Sequence, residues 1–222
     1  MLIVQAGTPD YAEMMDETQR RCEALGYRYT RHDLRPDPLD LSGDTPPCIF
    51  KPRFLEGIPI NGELVLWLDA DAFSVAPLDD LEEMGEYDAV VTLREPEYLG
   101  KSQPITNYLN AGVVGFCGAQ AADFIERWLA LAERCGNDQL ALNGIVGKGW
   151  TNQQWMESYD TTIETEDGFF VRILPCSKWN FSDWNKQPSA DAKILHFKHG
   201  WRELNGPTWW KDALRAADSV RT

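Results

Sequence analysis

Apolar residues along this chain recur in two periods. Leu2 to Ala6 (LIVQA) form an almost unbroken apolar run into a Gly-Thr-Pro-Asp turn, which predicts a buried strand. Tyr11, Met14, Met15, Cys22 and Leu25 then fall at helical spacing, with Asp10 placed to cap that helix and Gly26 to stop it. YRYTRHDL, from Tyr27, alternates like a second strand. Strand, helix, strand is the opening of an α/β sheet. Leu64 to Leu68 is apolar at every position, so it is expected in the middle of the sheet with both faces covered.

DAVVTL from Asp88 and YLNAGVVGF from Tyr108 read as further strands, and a short helix is expected after Pro77. Residues 119 to 135 have the pattern of an amphipathic helix, and NDQLALNGIV that of another started by Asn137 as its cap. Residues 35 to 48, rich in proline and aspartate, read as a loop, and IFKPRFLEGI after them as a short helix or turn. The last third alternates short strands (GFFVRIL, AKILHF) with loops that carry tryptophan near residues 150–155, 179–184 and 209–210. Those rings serve either as core packing or as platforms for flat ligands. No repeat or linker interrupts the pattern, and one domain over residues 1–222 is expected.

Composition narrows the function. With 21 basic against 35 acidic side chains the net charge is −14, which disfavours nucleic acid as a partner. The five cysteines, at 22, 48, 117, 135 and 176, contain no C-x-x-C pair and suggest neither a disulfide framework nor a zinc site. Reduced thiols fit a cytoplasmic protein. The N-terminus lacks a basic region, and no run approaches the roughly 20 apolar residues of a membrane span.

Chemistry concentrates at ELVLWLDADAFSVAP, where the apolar strand ends in Asp69 and Asp71. In open α/β sheets ligands bind beyond the carboxyl ends of the strands. Residues i and i+2 of a strand share a side, so both carboxylates could reach one hard cation such as Mg²⁺ or Mn²⁺. Alternatively both acids simply meet solvent. A haloacid-dehalogenase-like nucleophile is a further alternative, weakened by Phe73 where Thr or Val is usual and by two strands preceding the motif. Asn110, beside the small Ala111-Gly112 step, could hold a sugar hydroxyl or be a plain loop residue. Asp138 and Gln139 open a helix, a position suited to polar contacts or to simple capping. His196 ends a late strand and His199 follows it; either could ligate the same metal, or be structural.

The order Asp-x-Asp, Asn-Ala-Gly, Asp-Gln and a late His-bearing strand end resembles the nucleotide-sugar-dependent glycosyltransferases of the GT-A fold. The glycogenin-like and galactosyltransferase-like retaining groups are the nearest in pattern, and the likeness runs from Leu2 to about Trp201. It implies a single Rossmann-like α/β domain with a mixed, mostly parallel central sheet flanked by helices. Residues 1–100 would form the nucleotide-binding half and 101–222 the donor-sugar and acceptor half.

By the same resemblance, Asp69 and Asp71 hold Mn²⁺ or Mg²⁺ with His196 as third ligand, and Asp69 also contacts the ribose. Gln5, Ala6, Gly7 and Thr8 cradle the nucleoside, and Lys51 lies near the donor diphosphate. Lys198 and Gly200 serve the leaving diphosphate, and Asn110, Asp138 and Gln139 surround the donor sugar. The family's His-x-x-Gly followed by Lys-Pro-Trp is replaced here by His196-Phe-Lys-His-Gly200-Trp, which leaves His199 as an alternative ligand. The implied activity is sugar transfer from a nucleotide diphosphate, UDP foremost, to a carbohydrate or protein hydroxyl with retention. A non-catalytic nucleotide-sugar or glycan-binding module and a metal-dependent phospho- or nucleotidyl-transfer enzyme are the alternatives.

Overall fold

The computed structural model describes residues 1–34, 50–98 and 108–219. The proline-rich segment 35–48, Cys48 included, lies outside the described residues.

The chain opens with β1 (Leu2–Gly7), α1 (Ala12–Ala24) and β2 (Arg28–Asp33), then α2 (Phe50–Glu56), β3 (Val65–Leu68), β4 (Ala72–Ser74) and α3 (Asp80–Glu83). β5 (Ala89–Leu93), β6 (Leu109–Phe116), α4 (Ala121–Cys135), α5 (Asp138–Val146) and α6 (Asn152–Glu157) follow. β7 (Thr162–Glu164), β8 (Phe170–Pro175), α7 (Cys176–Trp179), β9 (Ile194–His196), α8 (His199–Asn205) and α9 (Trp209–Ser219) complete it.

Among the described residues seven strands form one sheet in the order β2-β1-β3-β6-β5-β8-β7. β1 pairs in parallel with β2 and β3, and β5 with β8, whereas β6 and β7 run antiparallel to their neighbours. Five strands therefore share one direction. This is the mixed, mostly parallel α/β sheet that the periodicities and the resemblance imply.

The apolar runs of the inner strands are explained by burial on both faces. Val4, Val65, Trp67 and Val91 enter one core cluster, with α4 and α5 packed over them, while Ile3, Leu66, Leu68 and Val90 enter another on the opposite face. α4 turns Phe124 and Trp128 inwards, where they meet Phe116 and Phe169. Gly26 ends the first helical segment with φ of +80°, a conformation that costs glycine little.

Asp10 does not cap α1. It lies in a 3-10 turn, Pro9–Tyr11, and Tyr11 occupies the cap position with no side-chain bond. Proline at the start of that turn has already set the chain on a helical path before Asp10 could act as cap. Asn137 does cap α5, accepting from the Leu140 N–H at 2.7 Å.

A two-stranded sheet, β4 with β9, forms a separate layer in which Ala72 pairs with His196. α9 lies on it, and Phe73, Phe181, Leu195, Phe197, Trp210 and Leu214 make a third apolar cluster there. The tryptophans expected in loops largely enter cores: Trp155, Trp179 and Trp210 are buried in α6, α7 and α9.

Candidate active site

The carboxyl ends of β1, β3, β5 and β8 and the amino end of antiparallel β6 meet along one edge of the main sheet. A cavity of about 520 Å³ opens there, lined in part by Asp69, Asp71, Asn110, Asp138 and His196.

The two aspartates do not converge by strand alternation. β3 stops at Leu68, and Asp69 to Ala72 is a tight turn in which the Ala72 N–H donates to the Asp69 carbonyl at 2.8 Å. Gln5 braces that turn: its amide nitrogen donates to the carbonyls of Asp69 (2.9 Å) and Ala72 (3.1 Å), and Tyr29 donates to its oxygen at 2.8 Å. Gln5 is fully buried and is not part of the cavity lining, whereas Ala6, Gly7 and Thr8 are.

His196 reaches the turn through the β4–β9 pairing, which puts its Nε2 3.1 Å from Asp71 Oδ1 and 3.8 Å from Asp69 Oδ2. A hydrogen-bond chain selects its tautomer. Thr92 Oγ1 donates to the Asn110 carbonyl at 2.9 Å, so it accepts from the Asn180 amide nitrogen at 2.8 Å. Asn180 therefore turns its oxygen to His196 Nδ1 at 2.9 Å, and Nδ1 must carry the proton. That leaves Nε2 as the ring atom facing two carboxylates. Gly112 makes room for the ring: a Cβ on it would stand 2.4 Å from His196 Cε1 and 3.0 Å from Asp69 Oδ2.

Two carboxylates and one imidazole, with ligand atoms within 4.8 Å of one another, suit a divalent cation. Nε2 and Asp71 Oδ1, 3.1 Å apart, are held together by a shared proton or by a cation between them, and the donor set fits a metal. His199 is not part of this cluster. It lines the cavity but is exposed and pairs with Glu203 at 3.0 Å, one turn along α8. Gly200 is exposed and lies outside the cavity lining.

The other side of the turn is balanced by a cation. Lys51, from α2, lies 2.9 Å from Asp69 Oδ1 and 3.3 Å from Asp138 Oδ2, and donates to the Ala111 carbonyl. Burial opposes its charge, but Asp69 and Asp138 outweigh burial and hold the ammonium above lysine's usual range. Burial likewise pushes the Asp69 carboxyl up, and Lys51, His196 and the Trp67 N–H at 2.9 Å together bring it below the usual value.

Asp138 is set by the N-terminus of α5, with its Oδ1 accepting the Gln139 N–H at 2.7 Å. Buried Asn143 ties that helix to the sheet, accepting the Leu109 N–H at 3.1 Å. Asn110 is buried, and its amide nitrogen has no protein partner among the described residues although the residue lines the cavity. Such an orphan donor is costly unless a ligand oxygen meets it. Lys198 lines the cavity too; burial and then Arg94 push its ammonium down to about 8.

Sequence reasoning missed three side chains. Asn180 lies in a tryptophan-rich stretch with no period to mark it. Asn143 sits inside a helical run, where a polar residue on the buried face is a weak signal. Arg202, on α8, stacks over Tyr11 at 4.4 Å and brings Nη2 to 3.9 Å from Asp71; its place six residues after His196 carried no expectation.

No family model and no curated relative matches this chain. Solved structures do. The chain is similar to a glycosyltransferase involved in glycosylation of the major capsid of PBCV-1, at 15% identity and TM-score 0.57 over 91% of this chain and 96% of that one. It is similar to the galactosyltransferase LgtC, solved with donor and acceptor sugar analogues, at 13% identity and TM-score 0.57 over 97% and 96%. A third is the glycosyltransferase GlyE of Streptococcus pneumoniae, at 16% identity and TM-score 0.56, over 99% of this chain and 61% of that chain. At such identities the likeness is one of fold, and the fold is the GT-A arrangement.

Proposed function

We propose that this GT-A chain is a metal-dependent glycosyltransferase that moves a sugar from a nucleotide diphosphate, UDP foremost, to a hydroxyl of a carbohydrate or protein. We read it as one domain, with residues 1–100 taking the nucleotide and 101–222 the donor sugar and acceptor. The observation that carries the reading is the Asp69–Asp71–His196 cluster at the carboxyl edge of the sheet, with the imidazole Nε2 aimed at two acids.

A divalent cation held there supplies charge stabilisation to the departing diphosphate. The imidazole nitrogen favours Mn²⁺ over the harder Mg²⁺. Ala6, Gly7 and Thr8 form a small-residue turn against which a nucleoside could lie, and Lys198 and Arg202 offer cations to the diphosphate. Lys51 holds Asp69 and Asp138 apart in fixed positions. Asp138 supports positive charge at the sugar's anomeric carbon, with Asn110 and Gln139 directed to its hydroxyls. In the transfer the acceptor oxygen bonds to the anomeric carbon, the bond from that carbon to the diphosphate oxygen breaks, and the hydroxyl proton leaves on the diphosphate. Proton uptake by the leaving group on the same face corresponds to retention.

The test is release of nucleoside diphosphate from a panel of nucleotide sugars, with and without Mn²⁺. Metal-dependent release with at least one donor is expected. Donor binding with no release from any of them would replace this reading with a non-catalytic binding module.

A further inference from the structure

A second cavity, of about 450 Å³, opens at the carboxyl ends of β5 and β8. Lys198 lines it as well as the metal-bearing cavity, so the two spaces meet at that side chain. Its size is in the range of small-molecule sites, and its wall combines the Trp201 ring with hydroxyls of Ser177 and Ser182 and the amide of Gln187. An aromatic face beside several hydroxyl and amide groups suits a sugar ring.

The wall of this cavity carries three cations, Arg94, Lys186 and Lys198, and three acids, Glu95, Glu97 and Asp183. Arg94 directly follows β5 and is anchored by its backbone N–H to the Tyr108 carbonyl at 2.9 Å. Its Nε is buried without a hydrogen-bond partner among the described residues. The acids are engaged elsewhere: Glu95 accepts from the Tyr159 hydroxyl and the Ser177 N–H, Glu97 pairs with Lys186, and Asp183 lies 3.8 Å from the same Lys186 and accepts from the Asn185 N–H. Arg94 and Lys198 thus share a wall as two cations, and among the described residues no acid within 4.0 Å pairs with either. A buried guanidinium donor without an acceptor is unfavourable, and two neighbouring cations add repulsion. A ligand anion relieves both, and the planar guanidinium is shaped to take one by two hydrogen bonds.

We infer that this second cavity is the acceptor subsite and that it selects an acidic sugar, a uronate or a sugar phosphate, whose anion rests on Arg94 with Lys198 beside it. The acceptor role rests on the glycosyltransferase reading, whereas anion binding at Arg94 does not. With the anion on Arg94, the sugar's hydroxyls extend past Lys198 towards the metal-bearing cavity. There one hydroxyl oxygen bonds to the donor's anomeric carbon as that carbon's bond to the diphosphate breaks, and its proton goes to the diphosphate.

Titration calorimetry on the full chain with Mn²⁺ and UDP present tests this, using methyl glucuronide, methyl galacturonide and glucose 6-phosphate against methyl glucoside and methyl galactoside. At least one acidic probe should bind at least tenfold more tightly than its neutral counterpart. The preferred acid then distinguishes a carboxylate from a phosphate. Arg94→Gln should abolish the preference, and Arg94→Lys should keep part of it, since it retains the charge but not the two-pronged geometry. Equal binding of acidic and neutral probes, or an acidic preference that survives in Arg94→Gln, overturns the inference. So does an acidic preference that appears only when UDP is left out, which would assign the anion to the donor site. UDP release from no UDP-sugar, with the acidic preference intact, removes the acceptor role together with the glycosyltransferase reading and leaves an anion site at Arg94.

Discussion

The two sides of the Asp69–Asp71 turn are built on different physical terms. On the main-sheet side the protein balances its own charges, since Lys51 sits 2.9 Å from Asp69 and 3.3 Å from Asp138. On the β4–β9 side His196 Nε2 faces an acid at 3.1 Å, and the guanidinium of Arg202 comes no nearer Asp71 than 3.9 Å. The first side carries its own fixed cation. The second gathers the three groups that suit a metal, so stability should depend mainly on one and metal binding mainly on the other.

Asp71→Asn should break the second side most severely. Mn²⁺ affinity, read by calorimetry, should fall by at least about 100-fold, the upper end of what even an outer-shell partner costs. The melting temperature should move by no more than about 4 °C, the equivalent of about 1 kcal/mol in a chain of this size. A large loss of stability with metal binding intact would make Asp71 structural.

Gly112→Ala should damage both readings, because the new Cβ meets the imidazole at 2.4 Å. About 1–3 kcal/mol of stability should be lost in chemical denaturation, along with metal affinity. Asn180→Ala should lower Mn²⁺ affinity by about 10–100-fold through loss of the imidazole's orientation. Asn180→Asp, which keeps an acceptor for Nδ1, should restore most of it; equal effects of the two would remove Asn180 from the metal site.

Lys51→Met probes the balanced side. Asp69's carboxyl is held below its ordinary 3.8, so the stability it lends is complete above that pH and lost as pH falls through the lowered value. Without Lys51 the variant should be less stable at neutral pH, and its stability should decline less on acidification from about pH 5 to about pH 2. Identical acid profiles for variant and parent would show that Lys51 does not set Asp69's charge. His199→Ala should matter least, with Mn²⁺ affinity changed less than twofold, since its ring is exposed and paired with Glu203.

Much of the fold was legible because burial leaves a local trace. Leu64 to Leu68 reads as a doubly covered strand, and Val65 and Trp67 do pack on one face while Leu66 and Leu68 pack on the other. The helix over residues 121–135 is likewise visible in its apolar spacing, because a helix between sheet and solvent must be two-sided. Helices α8 and α9 were not foreseen: α8 buries no side chain and so leaves no apolar period, whereas the Trp210, Leu214, Ala217 spacing of α9 was there to be read. The tryptophans could be core or platform on sequence grounds alone, and packing into α6, α7 and α9 decided for core at Trp155, Trp179 and Trp210.

The site divides in the same way. Asp69 with Asp71, Asn110 and Asp138 could be picked out because acids and amides at predicted strand and helix ends are local features. That Asp69 and Asp71 converge through a turn, and that Gln5 braces this turn from within, depends on contacts between β1 and the end of β3. The choice of His196 over His199 depends on the pairing of Ala72 with His196, two residues far apart in the chain. Local hydrophobic period encodes which face of an element is buried, and so the sequence by itself determined the main strands, the helices that cover them and the acids at their ends. Which distant strand closes on those acids, which amide turns the imidazole, and which lysine bridges two carboxylates are long-range matters. Only the tertiary structure decided them, because their energies arise between elements and leave no period along the chain.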